Sequence, residues 1–483
     1  MQLDKVRMHF YLYVVSMPLL LSLGLLFGFV SQPYSFEPVC LSFSFFCVIT
    51  VCRAIKRYGF FSLYCLYLYT SFFFVYSKLF FSAFGATDFL YVDFPGKHHF
   101  SENTGIYFIV GSFISFYVLD IFYFCKSWGI FQKKELESAA SPFTQSKRMS
   151  RIGIIFMSLA FIPILYKLYL QLQIIRQTGY VSLYTGALDS ISYPFWTKGS
   201  GTVFYIGFLL VLMSFPGKKT YIYAVLLFIF FRFADALKGG RGGLISTVLA
   251  VIYFYYKFYR VRFSLKKMLP LFAVLMMFSA VIGQSRTETD ENKKTSVSTK
   301  LLCDFVINQS GSIGSPLAVI EFIQEQKPFR HYPYIFSLLF TPVYNFISPE
   351  TESVPSLERL QLRNEMEGII TYLYSPFMYK SGFGIGATFS GEMFDCFGLF
   401  GIVFWTILLG RLILFVEKSC TFGGRKMFWA WFIACSVIVL PRSHFFDFLY
   451  SGYMYFFLIL GIEAILNTRG LIKKKSAGAY KNV

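Results

Sequence analysis

The sequence predicts an all-α, polytopic integral membrane protein with about 12 transmembrane helices. Apolar residues make up 55% of the 483-residue chain and charged residues only 15%. The mean hydropathy is +0.55, and apolar runs long enough to cross a bilayer recur along most of the chain. Because lipid cannot satisfy an open backbone, each of these runs is expected to be helical.

The predicted spans fall into two groups separated by one long polar segment. They cover residues 9–31, 38–52, 59–81, 104–125, 152–175, 201–215, 220–237, 242–258, 268–283, 396–416, 427–440 and 446–466. The resulting organisation is helices 1 to 9 in 1–283, a large external loop in 284–395, helices 10 to 12 in 396–467, and a basic tail in 468–483.

The distribution of charge orients these helices. More than half of the 45 Lys and Arg residues fall on alternate connections, together with both chain ends, and basic loops are retained in the cytoplasm. Both termini are therefore expected to be cytoplasmic. The external loop 284–395 carries 9 basic and 13 acidic residues, so the formal charge of +19 indicates contact with lipid head groups and not a nucleic-acid partner.

The external loop is expected to be a folded, mostly helical cap. Its segment 334–346 is apolar but too short to span, which favours a helix that lies on the membrane surface or re-enters the membrane. Segment 356–374 has the spacing of one amphipathic helix. Long ordered loops at such positions are often functional.

Three arginines on the predicted external side are candidates for binding an anion. Arg241 lies in KGGRGG at a helix start, Arg286 follows span 9, and Arg442 shares the short turn PRSHFFD with His444. Arginine binds phosphate through a planar fork, and exposed helix-start amides assist it. The alternatives are a tight interhelical turn at the glycines and arginines that only anchor at the interface.

A glycine-rich segment, GFGIGATFSGEMFDCFGLFG, leads into span 10. Gly384 and Gly386 permit close backbone approach to a ligand, and Glu392 is suited to act as a general base or to orient a hydroxyl. The alternative is a loop-to-helix entry at which a carboxylate favours the helix start. No metal-ligand cluster or P-loop is found, and the nine cysteines include no CxxC pair, so no cofactor is expected.

The chain resembles the O-antigen polysaccharide polymerases (Wzy) in its many spans, its large loop before the last spans, and two motifs. One is the segment at Gly239, Gly240 and Arg241. The other is similar to the family pattern GxGxSxxxExxxxFGxxG, with Thr388 in place of the serine; the matching residues are Gly384, Gly386, Glu392, Phe397, Gly398 and Gly401.

The resemblance implies a GT-C-like glycosyltransferase of the bacterial inner membrane with an undecaprenyl-pyrophosphate-linked glycan as donor. The growing chain moves at the periplasmic face to the non-reducing end of another lipid-linked repeat unit, and a chain-length regulator is an expected partner. The predicted catalytic residues are Glu392, Arg241, Arg286, Arg442 and His444, with Glu392 preferred over His444 as the base. The predicted substrate-binding residues are Gly384, Gly386, Lys238, Arg359 and Arg363.

Two other functions are compatible with the sequence. An O-antigen ligase uses the same donor with lipid A-core as acceptor, and a catalytic histidine in the large loop would favour it; His331 is the one histidine there. A flippase of lipid-linked glycans is the second, but few charges lie inside the predicted spans, which disfavours a transport path.

Overall fold

The protein is described from a computed structural model that is helical along most of its length. The described residues are 2–30, 35–92, 97–137, 147–178, 192–237, 241–261, 306–347, 356–380, 384–419 and 424–479. Eight helical segments within them are long and apolar enough to cross a membrane. The chain is thus helical and polytopic, as the sequence predicts.

The helices, in chain order, divide into long membrane helices and a set of short ones before the last three. The first nine are α1 (Gln2–Val30), α2 (Glu37–Tyr58), α3 (Leu63–Ser71), α4 (Ser77–Ser82), α5 (Glu102–Glu137), α6 (Lys147–Thr178), α7 (Ser200–Met213), α8 (Lys218–Leu237) and α9 (Arg241–Tyr259). The short ones are α10 (Gly314–Glu321), α11 (Ser337–Ile347), α12 (Leu357–Arg363), α13 (Met366–Tyr374), α14 (Pro376–Lys380) and α15 (Phe389–Asp395). The last three are α16 (Gly398–Ser419), α17 (Gly424–Val439) and α18 (Asp447–Ala479).

The eight membrane-length segments correspond to predicted spans 1 to 6, 10 and 11. Helix α8 covers predicted span 7, and shorter apolar helices at 243–259 and 447–462 cover spans 8 and 12. Predicted span 9, at 268–283, lies outside the described residues. The number 12 therefore stays a prediction.

Helices α6 and α7 pack most closely, and two glycines make this possible. A Cβ on Gly153 would lie 2.5 Å from the Gly207 carbonyl oxygen, and a Cβ on Gly207 would lie 2.7 Å from the Gly153 carbonyl oxygen. Small residues at such crossings let backbones approach within the membrane, where lipid supplies no hydrophobic force between helices.

One end of the bundle carries basic residues that are paired with buried acids. Glu417 on α16 forms an ion pair with Lys257 on α9 and accepts a hydrogen bond from the backbone N–H of Leu63 at 3.2 Å. On the same side, Arg53 pairs with Asp120 at 3.1 Å. These contacts fix α9, α16 and the start of α3 at the end that the positive-inside rule assigns to the cytoplasm.

The opposite end collects the short helices and a two-stranded hairpin. Strand β1 (Tyr91–Val92) pairs antiparallel with β2 (His98–His99), and the hydroxyl of Tyr374 on α13 donates to the Val92 carbonyl at 3.2 Å. The short helix α15 packs against α10, α16 and the turns at 334–336 and 440–442. This end contains the glycine-rich segment identified in the sequence.

The prediction of a single helix over 356–374 is wrong in detail, because the structure has two helices there, α12 and α13. Asn364 at the break has a left-handed backbone with φ of 50°. Its buried side chain accepts from the His331 N–H at 2.8 Å and donates to the Tyr332 carbonyl at 3.0 Å. Asparagine tolerates this conformation, and the two hydrogen bonds tie the break to the preceding segment.

Candidate functional site

Helix α15 forms the floor of the candidate site and is buried along its whole length. The Thr388 hydroxyl caps it by accepting from the Gly391 N–H at 3.2 Å, and it also donates to the Ser315 hydroxyl at 3.2 Å. The family pattern has serine at this position, and a hydroxyl serves as the cap in either residue. The departure at Thr388 therefore preserves the local structure.

The end of the glycine-rich motif is a sharp corner between α15 and α16. Phe397 and Gly398 both have left-handed backbones, with φ of 65° and 57°. Any Cβ on Gly401 would lie 1.4 Å from the Cys396 carbonyl oxygen, which no side chain tolerates. The F-G-x-x-G part of the pattern therefore specifies the backbone conformation of the corner at which the buried helix α15 ends and the membrane helix α16 begins.

His444 lies between two carboxylates. Its Nδ1 is 2.5 Å from Glu392 Oε1, and its Nε2 is 3.3 Å from Glu367 Oε1. The second oxygen of Glu392 accepts from the Phe445 N–H at 2.9 Å. The three residues come from α15, from α13 and from the turn between α17 and α18, so tertiary folding alone brings them together.

The two carboxylates differ in exposure. The Glu392 side chain is fully buried and both of its oxygens are engaged, whereas 36% of the Glu367 side chain is exposed and His444 retains 13%. Glu392 is therefore placed to hold and orient the imidazole. Glu367 is the more exposed carboxylate of the trio, although its Oε2 is itself buried and has no hydrogen-bond partner among the described residues.

The charge balance of the trio favours an imidazolium. Burial alone lowers the pKa of His444, but the charges of Glu367 and Glu392 and their hydrogen bonds outweigh it and hold this pKa well above its usual value. Burial raises the pKa of Glu392 in spite of His444. For Glu367 the charge and hydrogen bond of His444 outweigh burial, and its pKa is lowered. Glu367 is thus ionised at neutral pH.

A second carboxylate on α15, Asp395, is held by an ion pair. Its Oδ1 is 2.9 Å from Arg330 Nε, its Oδ2 accepts from the Tyr334 N–H at 2.8 Å, and its carbonyl accepts from Arg330 Nη2 at 3.1 Å. Burial raises the pKa of Asp395 to about 6, opposed by the charge of Arg330. Helix α15 therefore presents Glu392 to the histidine and Asp395 to the segment before α11.

Arg442 lies two residues before His444 in the sequence and its side chain is exposed. Its Nη1 donates to Gln309 Oε1 at 3.2 Å. Arg359 pairs with Glu365 at 3.1 Å, and its charge helps to lower the pKa of Glu367. Helix α9 begins at Arg241. Lys238 and Arg286 lie outside the described residues, as do the side chains of Arg241 and Arg363.

The two predicted ligand-facing glycines are exposed and lie in a stretch without regular secondary structure before α15, in which Ile385 and Ala387 are buried. A Cβ on Gly386 would meet open space, and one on Gly384 would make an ordinary contact with Thr371 at 3.4 Å. Neither position needs glycine for its own backbone conformation. Within the described part of the chain, no cluster of His, Cys, Asp and Glu is arranged to hold a metal.

The sequence indicates Glu392 and His444 individually but not their pairing. It marks Glu367, together with Glu365, Arg359 and Arg363, as a candidate glycan contact or as part of an exposed helix face. Arg330 carries no sequence signal, because it belongs to none of the motifs identified in the sequence. The sequence offers no further signal for Glu367, because the helix break at Asn364 that precedes it is a property of the folded chain.

Comparison with protein families agrees with the architecture and the motif. Residues 11–475, nearly the whole chain, match the family model of the O-antigen polysaccharide polymerase Wzy. No curated protein and no solved structure was found to match. The family match covers both groups of spans and the segment between them, and it confirms the resemblance seen in the motifs. The chain belongs to the O-antigen polysaccharide polymerase Wzy family.

Proposed function

We propose that this protein polymerises lipid-linked oligosaccharide repeat units by transferring the growing glycan from undecaprenyl pyrophosphate to another lipid-linked unit. Family membership supports a glycosyltransferase-type polymerase with a lipid-linked substrate. The observation that carries the proposal is the trio of Glu392, His444 and Glu367 at the end of the bundle that holds the family motif. Glycosyl transfer to a hydroxyl requires a group that accepts a proton, and this trio supplies one.

In this proposal Glu367 accepts the proton. The non-reducing-end hydroxyl oxygen of the acceptor bonds to the anomeric carbon of the donor glycan, and the bond to pyrophosphate breaks with its electron pair. The hydroxyl proton passes to Glu367, which is ionised and partly exposed. Glu392, which the sequence favours as the base, instead fixes the imidazolium of His444 against Glu367. A positioned base of this type typically contributes about a hundredfold or more to the rate.

The departing undecaprenyl pyrophosphate needs positive charge beside it. Arg442 is exposed and adjoins the turn that carries His444, which supports its role in the site. Arg241 and Arg286 are proposed for the same task, and Lys238, Arg359 and Arg363, with Gly384 and Gly386, are proposed to contact the substrate. Each well-placed donor at developing charge is worth on the order of 3 kcal/mol.

The proposed setting is the bacterial inner membrane, with both termini cytoplasmic and the trio facing the periplasm. A GT-C-like architecture and a chain-length regulator as partner are part of the same proposal. The ligase alternative is not favoured by His331, because its backbone and its ring nitrogen are engaged by Asn364 and the Gln361 carbonyl.

The first experiment deletes the gene and examines surface glycan on a gel together with the lipid-linked intermediates that accumulate. A polymerase predicts core that carries a single repeat unit and no ladder. Bare core with full-length lipid-linked polymer would identify a ligase instead. Single units confined to the cytoplasmic face, without surface glycan, would identify a flippase.

The second experiment tests the trio with purified protein in nanodiscs and a lipid-linked repeat unit as substrate. Glu367→Gln is expected to lower kcat by roughly a hundredfold or more. The matched control is Glu358→Gln, the same chemical change at an exposed position of α12, and it should leave kcat unchanged. Equal activity of both variants would remove Glu367 from the mechanism.

A further inference from the structure

We propose that the Arg330–Asp395 ion pair is a positioning device that holds α15 in the orientation at which Glu392 engages His444. The inference rests on the proposed function, since it assigns the pair a part in the same site. Neither residue contacts the imidazole, so both act through Glu392 and are positioning residues.

Three contacts bind the last turn of α15 to the segment before α11. Arg330 Nε lies 2.9 Å from Asp395 Oδ1, and Arg330 Nη2 donates to the Asp395 carbonyl at 3.1 Å. The Tyr334 N–H donates to Asp395 Oδ2 at 2.8 Å. The Asp395 side chain is 1% exposed and that of Arg330 27%, so water competes little for the carboxylate.

Helix α15 has only seven residues and cannot define its own orientation. Helices this short are not stable alone, so their direction depends on contacts at their ends. Thr388 fixes the first end through the cap, and Asp395 fixes the last. Glu392 lies between them, one helical turn before Asp395, and its contacts of 2.5 Å and 2.9 Å require a narrow range of orientations.

The pair also makes the orientation of α15 sensitive to pH. Asp395 is faced by Arg330 and Tyr334 from the segment before α11, by Glu392 on its own helix, and by the Cys396 thiol. Burial raises its pKa to about 6. As the pH falls through this value Asp395 takes up a proton and the ion pair is lost, whereas Glu367, with a pKa below its usual value, remains ionised.

The first test compares Asp395→Asn, Arg330→Gln and the double variant as full-length protein in nanodiscs, with the lipid-linked repeat unit as substrate. Each single variant is expected to lower kcat by roughly tenfold to a hundredfold, with the KM for the repeat unit unchanged. The double variant should lose no more than the worse single, because the two residues act through one another. The wild-type decline in kcat near pH 6 should be absent from Asp395→Asn.

The matched control is Asp88→Asn, which makes the same change in a pair on the external hairpin. Asp88 lies 2.8 Å from His99, and its side chain is 51% exposed. This variant should keep the wild-type kcat and pH profile.

The second test measures the reactivity of His444 with diethyl pyrocarbonate by mass spectrometry and needs no activity. The reagent attacks neutral imidazole, so His444 is protected while both carboxylates hold it. Asp395→Asn and Arg330→Gln should each accelerate modification of His444, and Asp88→Asn should not. His99 provides the internal standard in the wild type and in the Asp395 and Arg330 variants, because its side chain is 58% exposed. In Asp88→Asn, which removes the partner of His99, the exposed His331 takes its place as the standard.

Three results would overturn the inference. These are unchanged His444 reactivity in both variants, multiplicative losses of kcat in the double variant, and losses of kcat that match the loss of folded protein. If the wild type makes no polymer but the His444 reactivity responds as expected, the proposed function fails and the positioning role stands. If the wild type makes polymer and His444 does not respond, only the positioning role fails.

Discussion

At the scale of single residues, the site depends on a histidine held between two carboxylates. An imidazolium with both nitrogens bonded satisfies the buried Glu392, which otherwise would be a charge without a partner. Thr388 likewise makes two hydrogen bonds at the start of α15, where its hydroxyl accepts from the Gly391 N–H and donates to the Ser315 hydroxyl. Thr388 and Glu392 thus each hold a neighbouring group of the site in place.

Replacing His444 with Gln is expected to lower the free energy of unfolding by about 3 kcal/mol, because it leaves Glu392 without its charged partner. The stabilisation due to the raised pKa of His444 is full below about pH 6.5, the usual value of histidine, and is lost as the pH rises through the folded-state pKa. Thermal unfolding in detergent at several pH values measures this. The difference in melting temperature between variant and wild type should therefore be largest below about pH 6.5 and should shrink as the pH rises. A constant difference at all pH values would contradict the charged-histidine assignment, and His99→Gln, at an exposed pair, is the control.

Replacing Thr388 with Ala should cost about 1 kcal/mol of stability by removing the cap of α15, whereas Ser should restore it. Polymerase activity is expected to follow the cap, since Glu392 lies in the first turn of this helix. The measurement is kcat and melting temperature of both variants in the same nanodiscs. If Ser proves as damaging as Ala, the methyl group and not the hydroxyl is what α15 requires.

At the scale of elements, glycines set how closely the helices approach. Gly153 and Gly207 bring α6 and α7 into backbone contact, and Gly111 on α5 leaves room for the ring of Phe394, which would lie 2.4 Å from a Cβ there. Gly401 permits the corner between α15 and α16. Gly111 and Gly401 thus allow α15 to pack against the membrane bundle, so distances in the candidate site depend on this helix packing.

The substitution Gly207→Ala is expected to destabilise the protein by about 1 to 3 kcal/mol, because the new methyl group overlaps the α6 backbone. Gly201→Ala on the same helix is the matched control, since a Cβ there meets nothing within 4 Å. Thermal unfolding of both variants in detergent makes the comparison. Equal melting temperatures of the two variants would show that α6 and α7 can move apart without loss of stability.

At the scale of the whole molecule, charged contacts define two ends of the bundle. Lys257, Glu417 and Leu63 meet at one end, while the hairpin, the trio and the turn at 440–447 meet at the other. Helix α9 therefore ends on the opposite side from the segment that begins at 306.

Alkaline phosphatase fusions test this arrangement, because the enzyme is active only outside the cytoplasm. Fusions after Lys97 and after Lys327 are expected to be active, and fusions after Arg260 and after Arg425 inactive. Low activity at Arg260 together with high activity at Lys327 would place an odd number of crossings between them, as the predicted span 268–283 requires. The reverse pattern at all four positions would invert the assigned orientation.

The sequence by itself determined the class of this protein. Apolar runs such as 104–125 and 396–416 are long enough that lipid permits only helices, and the helices found there agree closely in their bounds. The glycine-rich motif also located Glu392. Its F-G-x-x-G part specifies a local backbone turn, formed by Phe397, Gly398 and Gly401 within five residues. Such features depend on neighbours in the chain, so they are visible in the sequence.

Only the tertiary structure decided which residues act together. Glu367, Glu392 and His444 are separated by 25 and 52 positions, and the contacts between them arise from packing of α13, α15 and the last turn. Arg330 and Asp395 are 65 positions apart. Side-chain burial, which distinguishes the fully buried Glu392 from the partly exposed Glu367, is a property of the packed molecule, and no local pattern encodes it.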